Sequence, residues 1–229
     1  MVYHTKADSF FTEEEKERIK ITTIGVEART IGEIVTVVID QSSEYKETEV
    51  IGGVFIGSLV SLVITALFFH GSVWAFIPVA FILFFPALIL FQKVPTLKAV
   101  FIGKRRREKA VKERALRTFY ERGLYKTKKH TGILFFLSLL ERKVWVLADK
   151  GIHGKIQQQT LNKFARMVST GIQEGHASAS LCEAITAVGE LLCEYYPITD
   201  ADTDELSNVV MCEPGETSTA NGETCKQPD

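Results

Sequence analysis

Between Val50 and Phe91 the sequence has no Asp, Glu, Lys or Arg. So long a charge-free stretch excludes an ordinary water-facing surface there. Cysteine is scarce, and Cys182, Cys193, Cys212 and Cys225 form no CxxC pair, which excludes a zinc ribbon or a disulfide framework. Reduced thiols in a cytosolic compartment are expected. No excess of one charge is present: 27 basic residues face 28 acidic ones. That balance argues against a dedicated nucleic-acid binder, and no nucleic-acid partner is expected. Met1 to Glu15 is polar and lacks an apolar core, so no secretory signal is expected at that end. Also missing are the Cys-x5-Arg phosphate loop, HExxH, and Gly-rich loops of Walker or dinucleotide type.

The charge-free block divides into two spans, 50–69 and 73–91, with His70, Gly71 and Ser72 between them. Each has the ~20 residues an α-helix needs to cross a bilayer. The short connection makes an antiparallel hairpin whose two ends emerge on one side. A buried soluble helix pair is the competing reading, and two adjacent uncharged spans of this length disfavour it. Gly53 and Gly57 form a GxxxG step that would let the helices approach closely. Pro78 and Pro86 are tolerated as kinks in a membrane helix, and Trp74 suits an interfacial position. His70 is expected at the same interface.

Basic residues follow the second span: Lys93, Lys98, Lys104, Arg105, Arg106, Arg107 and Lys109. The positive-inside rule places this flank in the cytoplasm. An integral membrane protein with both soluble segments and both termini cytoplasmic is expected. Lys104, Arg105, Arg106 and Arg107 would set topology and attract anionic lipid headgroups at roughly 1 kcal/mol per nearby charge. RNA binding by this stretch is the weaker alternative.

The remaining chain reads as α/β. Thr12 and Glu15 form a capping box opening a helix over 13–29. EIVTVVID over 33–40 is β-branched on both faces, as in a strand covered on both sides. A basic helix is expected over 104–122, with Val111, Ala115, Leu116 and Phe119 inward and Gly123 as its cap. ILFFLSLL over 133–140 and KVWVLA over 143–148 read as two strands joined at Glu141-Arg142. Helices over 154–170 and 177–196 follow, with Met167 among the inward residues of the first and Tyr195 among those of the second. The expected fold is a mixed β-sheet flanked by helices on both faces and interrupted by the transmembrane hairpin. Residues 1–49 and 92–197 would form one discontinuous domain, 50–91 the hairpin, and 198–229 a disordered acidic tail.

The stretch Gly123-Leu124-Tyr125-Lys126-Thr127, then Thr131 to Ile152 (TGILFFLSLLERKVWVLADKGI), resembles the TPM-domain family, also called TPM phosphatase. Phe11-Thr12-Glu13-Glu14-Glu15 is similar to its opening helix and Gly32-Glu33-Ile34-Val35 to its first strand. The likeness covers about 10–40 and 108–196. The hairpin departs from the simplest family pattern, in which the domain is uninterrupted and follows a signal peptide. The resemblance implies a mixed sheet flanked by helices and roles around membrane complexes, including photosystem repair in plastid members and receptor association in animals. It also implies phosphatase activity and binding of a divalent cation such as calcium, both known for some members. Asp149 matches the acidic position before Gly151, whereas His130 stands where the family often has Asp or Asn.

His130, Asp149, His153 and His176 are expected near strand ends. Asp149, His130 and His153 are the candidate metal ligands, or an acid/base pair. The bland reading makes them loop-edge polar residues, with Asp149 complementing a helix dipole. Two functions follow. One is a non-catalytic interaction or assembly factor at the cytoplasmic membrane surface, with the bilayer and another membrane or cytoplasmic protein as partners. The alternative is a metal-dependent phosphatase.

Overall fold

The computed structural model describes residues 6–69, 72–94, 102–127, 129–198 and 210–213. His70, Gly71 and Cys225 lie outside them, so the expectations placed on His70 and on the turn of the hairpin do too. The chain divides into two units, Met1–Glu44 with Ala110–Asp229, and Tyr45–Lys109.

In the first unit α1 (Glu13–Glu27) begins at the expected capping box. The Glu15 N–H donates to Thr12 Oγ1 at 3.2 Å, and the Thr12 N–H donates to Glu15 Oε2 at 2.9 Å. Ser178 Oγ donates to Glu15 Oε1 at 2.7 Å. The bond from the Thr12 backbone, followed by that from Ser178, holds the Glu15 carboxyl below its usual range. These bonds favour the charged form. A depressed carboxylate stabilises the fold above its unfolded pKa, and the contribution disappears as pH falls through the lower folded value. Glu15→Gln is therefore expected to lower Tm at neutral pH while changing little at low pH, which flattens the acid limb of a Tm-versus-pH profile. An unaltered acid limb would exclude this role.

Four strands form one sheet in the order β3-β2-β1-β4: β1 (Glu33–Ile39), β2 (Gly132–Ser138), β3 (Lys143–Ala148) and β4 (Met211–Glu213). Strand β1 pairs parallel with β2 in the register Glu33 to Gly132 through Ile39 to Ser138. Strand β3 returns antiparallel on β2, and β4 adds parallel to the other side of β1. β1 is buried at all seven positions, as its two-sided β-branched sequence requires. Its alternation feeds two cores. Ile34 and Val38, with Ile133, Phe135 and Leu137, pack among residues of α1, α6 (Gln158–Glu174) and α7 (Ala177–Tyr195). Val35, Val37 and Ile39, with Leu134 and Phe136, pack against Val111, Ala115 and Phe119 of α4 (Lys104–Glu121). The expected mixed sheet with helices on both faces is present.

Several details differ from expectation. Leu116 is 47% exposed, and Thr118 takes its place in the buried stripe. Thr118 lies seven residues beyond Val111, two full turns along the same face. The helix expected over 154–170 is α6, which begins and ends later, and a separate short helix, α5 (Lys150–His153), precedes it, with Ile156 buried in the bend between them. Tyr195 is 42% exposed, and its neighbour Tyr196 packs against the core instead. The β2–β3 connection uses Leu139 to Arg142, with Arg142 left-handed at φ 52°. The tail expected from 198 onward contains β4, and Val210 is buried. On the second edge of β1, β4 pairs parallel with the last three residues, Val37 to Ile39. Glu213 of β4 is paired with Arg114 at 3.0 Å and with Arg122.

The second unit contains α2 (Lys46–Phe68) and α3 (Val73–Lys93), with Pro78 and Pro86 inside α3. Thr48, Gly52, Gly53, Gly57, Ser61 and Thr65 form the buried face of α2. This spacing of about four residues is a single helical stripe. A Cβ on Gly57 would sit 3.4 Å from the Phe84 backbone, and one on Gly53 would sit 2.9 Å from Leu88 Cδ2. The two glycines thus lie where α2 and α3 approach closely. Ser61 Oγ adds a hydrogen bond across the pair, donating to Phe76 O at 3.1 Å.

Candidate functional site

Two features carry functional meaning, one in each unit. In the first unit it is the corner where β2 begins and β3 ends. The antiparallel register brings Ile133 opposite Ala148, and the Asp149 N–H donates to Gly132 O at 2.9 Å. Residues 130 and 149 must therefore meet. His130 Nδ1–H donates to Asp149 Oδ2 at 3.0 Å. The other carboxylate oxygen accepts the Lys150 N–H at 2.7 Å and caps α5. The Asp149 side chain is buried, whereas that of His130 is 40% exposed. A carboxylate that orients a partly exposed imidazole is the arrangement a general acid/base pair needs.

The other candidates divide. His153 reaches Asp149 only by its backbone N–H, which donates to Asp149 O at 3.1 Å, and the residue is exposed. His176 pairs with Glu174 at 3.2 Å, at the α6–α7 connection. Among the described residues, no group of three or more His, Cys, Asp or Glu is placed to hold a metal ion. Calcium takes six to eight oxygen ligands. The corner offers one carboxylate, with one oxygen on an imidazole and the other on a backbone N–H. The residues described here do not fit that cation.

The backbone around the pair is tightly fixed. His130 is left-handed at φ 56°. Tyr196 Oη donates to Gly151 O at 2.6 Å, a contact that no sequence signal marked. A Cβ on Gly151 would lie 2.4 Å from His130 O and 2.7 Å from Lys129 O. Both are backbone atoms with no room to yield. Gly151→Ala is expected to cost about 1–3 kcal/mol, the usual penalty for overpacking. Gly154→Ala, whose nearest neighbour would be 3.5 Å away, serves as the control. Equal Tm values for the two variants would count against this packing.

In the second unit the feature is apolar surface. α2 and α3 are each long and apolar enough to cross a membrane, and only 28% and 6% of their most apolar windows are buried. The exposed residues are large: Leu59 is 53% exposed, Phe81 67% and Trp74 89%. At the start of α4, Lys104 and Arg105 are exposed. Arg106 is not a free cation, because it pairs with Glu47 at 2.7 Å. Arg107 is half-buried.

A mixed α/β sheet with a helical pair of exposed apolar surface is the class these features define. A family model described as the TPM domain, TPM_phosphatase, matches residues 94–191. The matched span contains the strand–turn–strand sequence that resembles this family, and over it the chain is similar to the TPM domain. Among solved structures, the chain is similar to the NMR structure of the BA42 protein from the psychrophilic bacterium Bizionia argentinensis. The TM-score is 0.56 at 18% identity, covering 89% of this chain and 96% of that one. This likeness concerns the fold. No curated protein matches the chain.

Proposed function

We propose that this chain is a membrane-anchored TPM-like module that holds or assembles other proteins at the cytoplasmic membrane surface without turning over a substrate. The observation that carries the reading is the exposed apolar surface of α2 and α3. Contiguous apolar surface of this extent is costly in water and stable in hydrocarbon. Lys104 and Arg105 supply the positive flank that keeps both soluble segments inside. Reporter fusions at Glu47, at Gly71 and after Tyr196 are expected to report inside, outside and inside. An extracytoplasmic signal from the last fusion would overturn the topology. Crosslinking in cells from the first unit, followed by identification of what is captured, tests the assembly role.

The competing reading is a phosphatase, and the His130–Asp149 pair is the observation in its favour. Metal-dependent hydrolysis of a generic phosphate ester, lost in Asp149→Ala, would replace the non-catalytic reading. The non-catalytic reading expects no such turnover.

A further inference from the structure

At the end of the sheet away from His130 and Asp149, the first unit has a cleft of about 810 Å³. It is bounded by the β2–β3 turn, the start of β3, the C-terminal half of α6 and residues 6–10. That volume is typical of small-molecule sites. The cleft lies beside the carboxyl end of β2, which runs parallel to β1. In open α/β sheets, ligands gather at the carboxyl ends of parallel strands.

Its chemistry is one-sided. Among the described residues that line it, Lys6, Arg142 and Lys143 are cationic, and none is Asp or Glu. Asp8 lies in the bounding segment but not in the lining, and two other nearby carboxylates are turned into the fold. Asp40 accepts the Ala7 N–H at 2.6 Å, which ties the segment bearing Lys6 to the end of β1. Glu141, 1% exposed, accepts the Ser42 N–H at 3.1 Å and the Ser138 hydroxyl. These bonds fix the turn that bears Arg142. Beside the cations, Phe10, Leu137 and Ile172 supply an apolar wall, and Ser9 and Gln173 supply polar groups.

Arg142 adds an independent observation. Its left-handed backbone, φ 52°, is a conformation that glycine adopts at less cost. A long cationic side chain at such a position, on the rim of a cationic cleft, points to a role beyond making the turn. We propose that the cleft binds a small organic anion: a phosphate or carboxylate head held by Arg142 and Lys143, with an apolar body of about one ring against Phe10 and Leu137. Binding involves no bond making or breaking, and it does not depend on the membrane reading above.

The test is isothermal titration of the full chain in nanodiscs of neutral lipid, with phenyl phosphate, benzoate, inorganic phosphate and phenol as separate probes. One or both aromatic anions are expected to bind at one site per chain. Which of them binds more tightly identifies the head group. Phenol and inorganic phosphate, each carrying only half of the chemistry, are expected to bind at least about tenfold more weakly. Arg142→Gly is expected to weaken the anion by about tenfold or more, the loss of one charge-assisted contact, while the Tm holds or rises. Lys143→Gln should weaken it similarly, and Lys155→Gln, outside the cleft, should not. No heat from either aromatic anion up to about 10 mM would overturn the proposal. So would undiminished binding to Arg142→Gly, or phenol binding as tightly as the anions.

Discussion

Leu59→Arg is expected to remove the protein from the membrane fraction. Leu59 lies near the middle of α2 and is 53% exposed. In hydrocarbon that exposure faces acyl chains, and an arginine at a helix centre costs about 2.5–3.5 kcal/mol on insertion scales. The apolar contribution of the leucine is lost as well. Insertion should therefore fall by about a hundredfold or more. In water the same substitution has the opposite sign, because replacing an exposed leucine by arginine reduces an aggregation-prone surface. The experiment compares alkaline-carbonate-resistant protein for the wild type, Leu59→Arg and Leu116→Arg. Leu116 is exposed to a similar degree, at 47%, but lies on α4 in the first unit. Loss from the pellet in the first variant alone supports the hairpin as a membrane element. Improved soluble yield of Leu59→Arg would show that α2 faces water.

The second large effect is expected at Glu141. Its carboxylate is 1% exposed and accepts the Ser42 N–H and the Ser138 hydroxyl. Ser42 Oγ in turn donates to Ser138 Oγ at 2.8 Å. Ser42 and Ser138 are themselves 4% and 2% exposed, so water cannot readily replace the carboxylate. Glu141→Ala leaves two buried donors without their acceptor, at about 1–3 kcal/mol each. A loss of about 3 kcal/mol is expected, or roughly 6–12 °C in Tm for a unit of this size. Glu141→Gln keeps the shape and one acceptor oxygen, and should cost distinctly less. A Glu141→Ala Tm within about 1 °C of wild type would mean that the carboxylate does not staple the turn.

The sequence revealed some of these features better than others, for physical reasons. β1 and β2 were readable because strands covered on both faces must be apolar on both faces, and EIVTVVI and GILFFLS are nearly so. The hairpin was readable because a bilayer-length helix has little alternative to an unbroken apolar sequence. β4 was not readable, because three residues on a sheet edge carry no period long enough to see. The sequence sets the start of α6 four residues too early, because Ile156 is buried at the bend before the helix and imitates the first turn of its apolar face. At the candidate site, His130 and Asp149 stood out as residue types, but their meeting depends on the β2–β3 register. His153 follows them in sequence yet joins only through its backbone, because the one-turn α5 leaves its side chain exposed. Glu141 left no trace at all. A charged residue in a turn reads as solvent-facing, and only the fold reveals that the turn closes over it.

The parallel pairing of β1 with β2 bears on how the protein is made. β1 is synthesised early, yet its first neighbour in the sheet follows roughly 90 residues later, which at 5–20 residues per second is a wait of about 5–20 s. Through that interval seven residues of two-sided apolar strand have no pairing edge. The nascent chain emits α2 and α3 during the same interval. On the membrane reading proposed above, delivery of the hairpin to the insertion machinery precedes closure of the sheet, and a stalled insertion would leave β1 exposed to chaperones or aggregation.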